Sequence, residues 1–497
     1  MDRPRTLGEL KKSGYRSRSV KEELRANLIE RIRTKRPLFD GIHGYEDTVV
    51  PAMERAILAG HSINLLGLRG QAKTRMARSL VQLLDEWMPI VEGSEINDDP
   101  MAPISRFAKD LIAYKGEETP ITWVHRDQRY TEKLATPDVT VADLIGDSDP
   151  IKAANLKLDY SDERVIHFGL VPRSHRGIFV INELPDLQPR IQVALFNILQ
   201  EGDVQIRGFK LRMPLDIQFV FTANPEDYTN RGSIITPLKD RIQAQILTHY
   251  PPTIELGMRI TAQEARTPAE QAARVVMPEL VRVLIERIAM EARESEYVDR
   301  RSGVSARLTI SALESVISAA ERRGLLNGEA RTVVRIGDLQ AVVPAITGKI
   351  ELVYEGEQEG PEQVAKHLLG LAVRNVFKEL FPEAVKARRQ GKTTAQRSAS
   401  DPFAELIAWF DSQEIDLPVD ASEKQYLSVL NVVPGLKERV VQDHPYLRPE
   451  EIALWMEFVL HGLAEHSRIG RSALVGKVRF GDVLGTLLGN GKGGEEE

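Results

Sequence analysis

The chain has 497 residues, no cysteine and a formal net charge of −6, from 66 Lys and Arg against 72 Asp and Glu. This balance excludes a polycation that coats nucleic acid, and the lack of cysteine excludes disulfide frameworks, thiolate metal sites and cysteine nucleophiles. Hydrophobic residues make up 42% of the chain, enough for a substantial core. Purely apolar runs reach about six residues, short of the ~20 that span a bilayer, so we expect a soluble, cytoplasmic protein without membrane insertion.

The first segment, residues 1–37, is basic, with 12 Lys or Arg against 5 Asp or Glu in its first 36 residues. Apolar residues four positions apart predict an amphipathic helix in this arm: Val20, Leu24, Leu28 and Ile32. We expect the arm to be a solvated helix packed on the next domain. Docking of nucleic acid or of a partner protein is the alternative.

From residue 38 to residue 252, helical patterns alternate with short runs rich in β-forming residues. The strongest strand candidates lie at 63–67, 121–124, 177–181 and 217–223. Strands separated by segments of helix length predict an α/β core with a parallel sheet flanked by helices.

The rest of the chain is predicted to be mostly helical, with clear helical repeats at 280–292 and 308–322. Composition shifts suggest four successive parts: a helical region at 253–350, a helical segment with a polar linker at 351–401, a small C-terminal helical domain at 402–488, and a disordered tail at 489–497.

A phosphate-binding motif follows the first strand candidate: Gly67, Leu68, Arg69, Gly70, Gln71, Ala72, Lys73 and Thr74. A helical repeat that extends to Trp87 comes next. A loop between a strand and a helix points backbone N–H groups and the positive end of the helix dipole at a phosphate. Lys73 can then neutralise the outer phosphates, and the Thr74 hydroxyl can bind Mg²⁺. Ala72 stands where a strict phosphate loop has its second glycine.

Two polar residues, Asn182 and Glu183, end the strand candidate at 177–181. P-loop ATPases place an acid on the magnesium side and a residue that activates water at this point. Glu183 fits the second role. Asn182 carries no charge where an Asp is expected, so we expect looser retention of Mg²⁺ and slower hydrolysis.

Two further residues complete an ordered series. Asn224 follows the strand candidate at 217–223 and can hold the attacking water beside the γ-phosphate. Arg241, soon after it, can reach the γ-phosphate of a neighbouring subunit as an arginine finger. Arg231 is the second choice for that finger.

The series GLRGQAKT, GIFVINE, FTANP and LKDRI resembles the AAA+ ATPases. Flanking segments narrow the resemblance to the MoxR and magnesium-chelatase I-subunit group: 39–46, 134–150, 168–184, a hairpin at 202–214, and 303–307. The resemblance covers about residues 38–350. It implies an AAA+ P-loop NTPase core with a helical lid, to which this chain adds the C-terminal helical domain.

The resemblance also implies roles for individual residues. Ile42 and His43 would lie near the adenine, Asn224 would be sensor 1, and Asn182 would stand on the Mg²⁺ side. Glu183 would activate water, and Arg241 would act in trans. Arg307 would be sensor 2, which grips the γ-phosphate from the lid. Residues 89–120 would be an insertion comparable to acidic, Pro-containing sequence in magnesium-chelatase subunits.

The function implied is an ATP- and Mg²⁺-dependent motor, chaperone-like or chelatase-like, that forms a homo-oligomeric ring, most simply a hexamer, and remodels a partner protein. Proteins of this group usually work with a von Willebrand A-domain protein, and in chelatases with a porphyrin-binding subunit as well. One alternative is a nucleotide-gated scaffold that hydrolyses little because of Asn182. Another is a DNA-acting or transcription-related ATPase, although the sigma-contacting GAFTGA sequence is absent from 134–170.

Overall fold

The computed structural model describes residues 3–159, 162–206, 212–225, 233–386 and 401–483. The chain forms two compact units, Met1–Tyr250 and Pro251–Glu497. In the part of the chain that is described, no helix has both the length and the apolar character needed to cross a membrane.

The first unit is built on a sheet of five parallel strands. They are β1 (Ile63–Leu66), β2 (Tyr130–Leu134), β3 (Gly177–Asn182), β4 (Ile217–Ala223) and β5 (Ala244–Leu247). Their order across the sheet is β5-β1-β4-β3-β2. Because all the strands run the same way, the residues that follow β1, β3 and β4 meet at one edge, where open parallel sheets bind ligands.

The central strands are mostly apolar, because helices cover both faces of the sheet. Every residue of β3 and β4 is buried, as expected for interior strands of a parallel sheet. The α-helices of this unit are Leu7–Lys12, Val20–Arg33, Val49–Leu58, Lys73–Ser79, Arg106–Lys115, Val141–Leu144, Pro150–Leu156, Leu170–Arg173, Pro189–Ala194, Phe196–Glu201 and Thr236–Arg241.

Short elements complete the first unit. Antiparallel pairs join Trp87–Val91 to Ile121–His125, Gly146–Ser148 to Ile166–Phe168, and Asp203–Gln205 to Arg212–Pro214. Short 3₁₀ helices lie at Leu80–Leu83, Gly116–Glu118, Arg126–Arg129, Glu163–Val165 and Leu184–Asp186. The last antiparallel pair forms the base of the predicted hairpin, whose tip at 207–211 lies outside the described residues.

One local prediction was wrong, and a second was right about the strand but not about its place in the sheet. The helix after the phosphate-binding motif ends at Ser79 and continues as one 3₁₀ turn, and Trp87 begins a strand instead. Leu84 is already extended, and Pro89 cannot continue a helix. The strand at 121–124 exists, but it pairs with Trp87–Val91 outside the parallel sheet.

The basic arm packs on the first unit. Its helix Val20–Arg33 begins with a capping box between Ser19 and Glu22. Val20, Leu24 and Leu28 are buried in a cluster with side chains of β1 and the phosphate-loop helix, whereas Ile32 is 45% exposed. The buried Glu23 forms an ion pair of 2.6 Å with the buried Arg129. The described part of the arm is therefore integrated into the core.

The second unit has a single hydrophobic core that runs from Val275 to Phe480. Its α-helices are Ile254–Glu264, Ala269–Arg274, Glu279–Glu294, Arg307–Leu326, Val343–Thr347, Tyr354–Glu359, Pro361–Leu380, Pro382–Lys386, Ala404–Phe410, Glu423–Leu430, Leu436–Asp443 and Ile452–Glu465, with 3₁₀ turns at Gly337–Val342 and Pro449–Glu451. Val275–Val276 pairs with Thr332–Val333.

The C-terminal segment also contains an antiparallel sheet that the sequence did not indicate. Its strands are Ile415–Pro418, Gly470–Leu474 and Lys477–Gly481, with the last in the centre. The buried Glu457 accepts hydrogen bonds from the Ile336 backbone and from the Tyr426 hydroxyl. The predicted lid and the C-terminal segment thus share one core. The linker at 387–400 and the tail at 489–497 lie outside the described residues.

Candidate nucleotide-binding site

The loop that follows β1 has a backbone shaped by two residues with positive φ. Gly70 has φ +74°, and Ala72, at the helix N-cap, has φ +57° and ψ +17°. The Gly67 N–H donates to the Ala223 carbonyl at 3.1 Å, which holds the loop against the end of β4. A Cβ on Gly67 would lie 1.9 Å from the Thr248 hydroxyl oxygen. The loop therefore has the strand–turn–helix form expected for phosphate binding.

Lys73 is folded into this loop. Its side chain is buried, and its Nζ donates to the carbonyl oxygens of Gly67 and of Leu68, the latter at 2.9 Å. The same Nζ donates to Asn224 Oδ1 at 2.7 Å. The structure thus brings Lys73 and Asn224, predicted separately from two motifs, into direct contact at the mouth of the loop.

Asn182 links the loop helix to the strand tips. Its Oδ1 accepts hydrogen bonds from the Thr74 hydroxyl at 3.3 Å and from the Thr222 hydroxyl at 3.0 Å. The next residue, Glu183, is half-buried with φ +55°, and its N–H donates to Thr222 Oγ1 at 3.2 Å. Thr74, Asn182 and Glu183 therefore converge at one edge of the sheet. Their hydroxyl, amide and carboxylate oxygens are ligands that fit Mg²⁺.

One residue at this edge was missed by sequence reasoning. Glu132 lies on β2, and its Oε1 accepts a hydrogen bond of 2.7 Å from Asn182 Nδ2. Arg78 binds the same carboxylate through Nε at 2.7 Å and a terminal nitrogen at 3.0 Å, and the Tyr130 hydroxyl donates to it at 3.0 Å. Burial raises the pKa of Glu132, but these hydrogen bonds outweigh burial and hold the pKa below its usual value.

Parts of the chain are similar to known proteins. Residues 159–247 match the Sigma-54 interaction domain family. The magnesium-chelatase 38 kDa subunit of Cereibacter sphaeroides is 24% identical over 244 residues, which cover 48% of this chain and 67% of the relative. Its counterpart in Rhodobacter capsulatus is 24% identical over 241 residues, which cover 47% of this chain and 62% of the relative. The chain is therefore similar to AAA+ ATPases of the group that contains the magnesium-chelatase I subunits.

A solved structure of the complex between subunits BchI and BchD of magnesium chelatase is also similar. It is 20% identical, covers 65% of this chain and 99% of the matched chain, and has a TM-score of 0.33.

The segment that contains Ile42 and His43, predicted to lie near the adenine, is connected to the phosphate loop by a tyrosine. Ile42 and His43 are half-buried, and Ile42 packs against the core. The hydroxyl of the buried Tyr45 lies 3.0 Å from the Gln71 carbonyl and 2.9 Å from the His249 carbonyl. Burial raises the pKa of Tyr45 to about 12, so it stays protonated. Tyr45 thus ties the segment before β1 to the phosphate loop and to the chain after β5.

The chain after β5 makes two more contacts with the loop. The Tyr250 hydroxyl donates to the Arg69 carbonyl at 2.8 Å. The Thr248 hydroxyl donates to Oε1 of the buried Gln71 at 2.6 Å. Residues 67–72 of the motif therefore form a loop that is held from β4 and from the end of β5, and Lys73 and Thr74 begin the helix that follows.

Arg241, the predicted finger, contacts its own chain. It lies at the end of the helix Thr236–Arg241, where its Nε donates to Gln200 at 2.9 Å and a terminal nitrogen donates to the Pro237 carbonyl at 2.8 Å. Its guanidinium carbon lies 5.0 Å from the centre of the Phe196 ring. A role in trans stays a prediction. The alternative residue, Arg231, lies outside the described residues.

Arg307, the predicted sensor 2, belongs to the second unit. It is exposed at the start of the helix Arg307–Leu326, and its backbone N–H donates to the Ser305 hydroxyl at 3.1 Å. Its role in nucleotide binding stays a prediction.

Proposed function

We propose that this AAA+ protein binds ATP at residues 67–74, hydrolyses it, and uses the cycle to remodel a partner protein. The observation that carries the proposal is the convergence of Lys73 with Asn224, and of Thr74 with Asn182 and Glu183, at one strand–loop–helix junction. Five features that the sequence scatters over about 150 residues meet at the edge where parallel sheets bind ligands. We also propose a cytoplasmic location, because the proposed reaction consumes ATP.

Each group has a chemical task in this proposal. The loop N–H groups and Lys73 neutralise the phosphates, for which Lys73 exchanges its contact with Gly67 or Leu68. Thr74 and Asn182 would hold Mg²⁺, which, when bound, neutralises charge that develops on the phosphates. Glu183 orients and deprotonates the attacking water, and Asn224 holds that water in line.

The motor part of the proposal concerns assembly. We propose that Arg241 acts as an arginine finger in trans, reaching the site of the next protomer in a ring, most simply a hexamer. For this it has to leave its contacts with Gln200 and Phe196. Magnesium chelatase has been solved as a complex of subunits BchI and BchD. For this chain we propose a similar kind of assembly, with a von Willebrand A-domain protein as partner.

A nucleotide-gated scaffold is the second candidate, and Asn182 favours it. An amide stands where hydrolysing P-loop proteins have an acid, and an uncharged ligand holds a divalent cation less tightly. In this case ATP binding without turnover would be the signal.

A DNA-acting role is the third candidate, favoured by the match of residues 159–247 to the Sigma-54 interaction domain family. Against it, the basic arm that would contact DNA is packed through Leu24 and Leu28 into the core. A salt-dependent complex with DNA through residues 1–36 would restore it.

Steady-state ATP turnover separates the motor from the scaffold. We expect Glu183→Gln to lower turnover at least about 100-fold, because it removes the base but keeps the shape of the side chain. Binding of a fluorescent ATP analogue should stay unchanged. Glu86→Gln, the same charge change on an exposed side chain, serves as the control and should keep full turnover. Equal turnover in wild type and Glu183→Gln would exclude the motor.

A further inference from the structure

Because Asn182 is uncharged where an acid is expected, the proposed site has one negative charge fewer on its magnesium side. It is 7% exposed and ends β3, where the magnesium side of the nucleotide is proposed to lie. An amide oxygen carries a partial charge only, and the opposite end of the same amide is a hydrogen-bond donor. A rotation of the amide by 180° would therefore turn a ligand into a repulsive group. The site needs something that fixes the orientation of this amide.

Glu132 provides that fixation. Strands β2 and β3 are parallel neighbours, with Leu134 opposite Asn182 in the ladder. Glu132 Oε1 accepts from Asn182 Nδ2 at 2.7 Å, a distance typical of a charge-assisted hydrogen bond. With its nitrogen held on this side, Asn182 turns its Oδ1 toward the Thr74 hydroxyl.

The carboxylate is itself held firmly. Arg78 grips it through two nitrogens, and Tyr130 donates a third hydrogen bond. The Glu132 side chain is 21% exposed, whereas the Arg78 side chain is 64% exposed. Solvent therefore screens the guanidinium more than it screens the contact between Glu132 and Asn182. The negative charge of Glu132 therefore still acts electrostatically on the buried Asn182 amide, although Arg78 is paired with the same carboxylate.

We propose that Glu132 is a positioning residue that acts through Asn182. Its carboxylate orients the amide, polarises it so that Oδ1 becomes more negative, and thereby replaces in part the acid that the end of β3 lacks. This inference rests on the proposed nucleotide site and extends it to a residue outside the motifs. Partners that orient a metal ligand in this way typically change metal affinity about 10- to 100-fold.

The test is the Mg²⁺ dependence of nucleotide affinity, measured on the full chain by calorimetry. A non-hydrolysable ATP analogue is titrated once with Mg²⁺ and once with EDTA. For Glu132→Gln we expect affinity to fall about 10-fold or more with Mg²⁺ and to change less than about twofold with EDTA. A purely structural role would lower both affinities together.

Two further variants test whether Glu132 acts through Asn182. Combining Glu132→Gln with Asn182→Asp keeps one carboxylate and one amide in contact but exchanges their positions, and it should restore the Mg²⁺ dependence. In an Asn182→Ala background, Glu132→Gln should have no further effect, because the group that transmits its influence is gone. The inference is wrong if the exchanged pair does not restore the Mg²⁺ dependence. It is also wrong if Glu132→Gln lowers affinity as much in the Asn182→Ala background as it does in the wild type.

Controls separate this inference from the proposed function. Glu92→Gln changes an exposed side chain by the same atoms and should leave both affinities unchanged. The thermal midpoint of each variant without nucleotide shows whether it folds, and the exchanged pair remains informative if Glu132→Gln alone unfolds. If the wild type does not bind the analogue, or Lys73→Ala binds it equally well, the proposed function fails. If the wild type binds and Glu132→Gln behaves as wild type, only the inference fails.

Discussion

At the scale of single residues, Ala72 departs most clearly from the usual chemistry of a phosphate loop. It adopts φ +57°, in the left-handed region that costs a residue with a Cβ roughly 1–2 kcal/mol. Alanine has the smallest side chain that incurs this cost. The loop therefore keeps its shape, and the strain only lowers the free energy of unfolding. With Ala72 in place of glycine, the backbone therefore still has the strand–turn–helix form expected of a phosphate loop.

Ala72→Gly should stabilise the loop. We expect a gain of about 0.5–1 kcal/mol in the free energy of unfolding, because glycine removes the left-handed strain but adds entropy to the unfolded chain. Urea denaturation, followed by hydrogen exchange of peptides from residues 63–80, measures the change. The reverse substitution Gly70→Ala, at φ +74°, should destabilise the same peptides. A lower urea midpoint for Ala72→Gly would show that the loop is not strained.

Motif spacing was enough to place Lys73, Asn182 and Asn224 at one site, because each follows an apolar strand of a parallel sheet. It could not find Glu132. The strand YTEKL that carries it has only half-buried and exposed residues, so no apolar run marks it. Its contact with Asn182 depends on which strand lies beside β3, and this is decided by tertiary packing.

At the scale of elements, burial explains which strands were predictable. The candidate at 217–223 matches β4 residue for residue, and β1 and β3 lie within one residue of their candidates. These interior strands are mostly apolar and almost fully buried, so short apolar runs mark them in the sequence. The outer strands β2 and β5 were missed because they are short and most of their residues are only partly buried or exposed. The helix after the loop was extended too far because Leu83 and Leu84 continue its apolar repeat while the backbone has already left the helix.

The start of the arm helix is fixed by a chain of hydrogen bonds that includes a buried histidine. The Val20 N–H donates to the Asp216 carboxylate at 2.7 Å. The Asp216 N–H donates in turn to Nδ1 of His175 at 3.0 Å, which requires that this nitrogen carries no proton. His175 is 5% exposed, and burial, aided by Arg176, lowers its pKa to about 4, while Asp98 opposes that shift. Protonation of His175 would therefore break the hydrogen bond from the Asp216 N–H and place a positive charge in a buried position.

Acid should loosen this junction. Because the pKa of His175 falls from 6.5 to about 4 on folding, the unfolded chain takes up a proton between these pH values that the folded chain does not. The contribution of neutral His175 to the free energy of unfolding is complete above about pH 6.5. It is lost as the pH falls, by up to about 3 kcal/mol near pH 4. Hydrogen exchange of the arm peptide 19–33 from pH 7 to pH 4.5, corrected for the intrinsic rate, should show this loss of protection.

His175→Asn isolates the histidine in that experiment. Asparagine can accept the Asp216 N–H through its Oδ1 but does not titrate, so the loss of protection toward low pH should be smaller. Asp216 titrates in both proteins: burial raises its pKa, which stabilises the fold at low pH and acts against the effect of His175. Identical pH profiles for the two proteins would mean that His175 does not control this junction.

At the scale of the whole molecule, the proposed motor depends on residues that one chain cannot bring together. The pocket side, with Lys73 and Glu183, is assembled within the first unit. Arg241, on the same unit, is occupied by Gln200, Pro237 and the Phe196 ring. The sequence order of the motifs predicts both parts, but no property of a single sequence shows which copy of Arg241 completes which pocket.

Mixing two inactive variants decides that question. Lys73→Ala destroys the pocket and keeps the finger, whereas Arg241→Ala keeps the pocket and loses the finger. In a randomly mixed equimolar ring, about a quarter of the interfaces pair an intact pocket with an intact finger, so turnover should recover to at most about a quarter of wild type. Lys73→Ala mixed with Glu183→Gln is the matched control: both lesions lie in the pocket, so no interface is complete and turnover should stay at background. If turnover recovers in the first mixture but not in the control, Arg241 acts in trans. If turnover stays at background in both mixtures, Arg241 does not act on a neighbouring protomer, and the proposed finger is wrong.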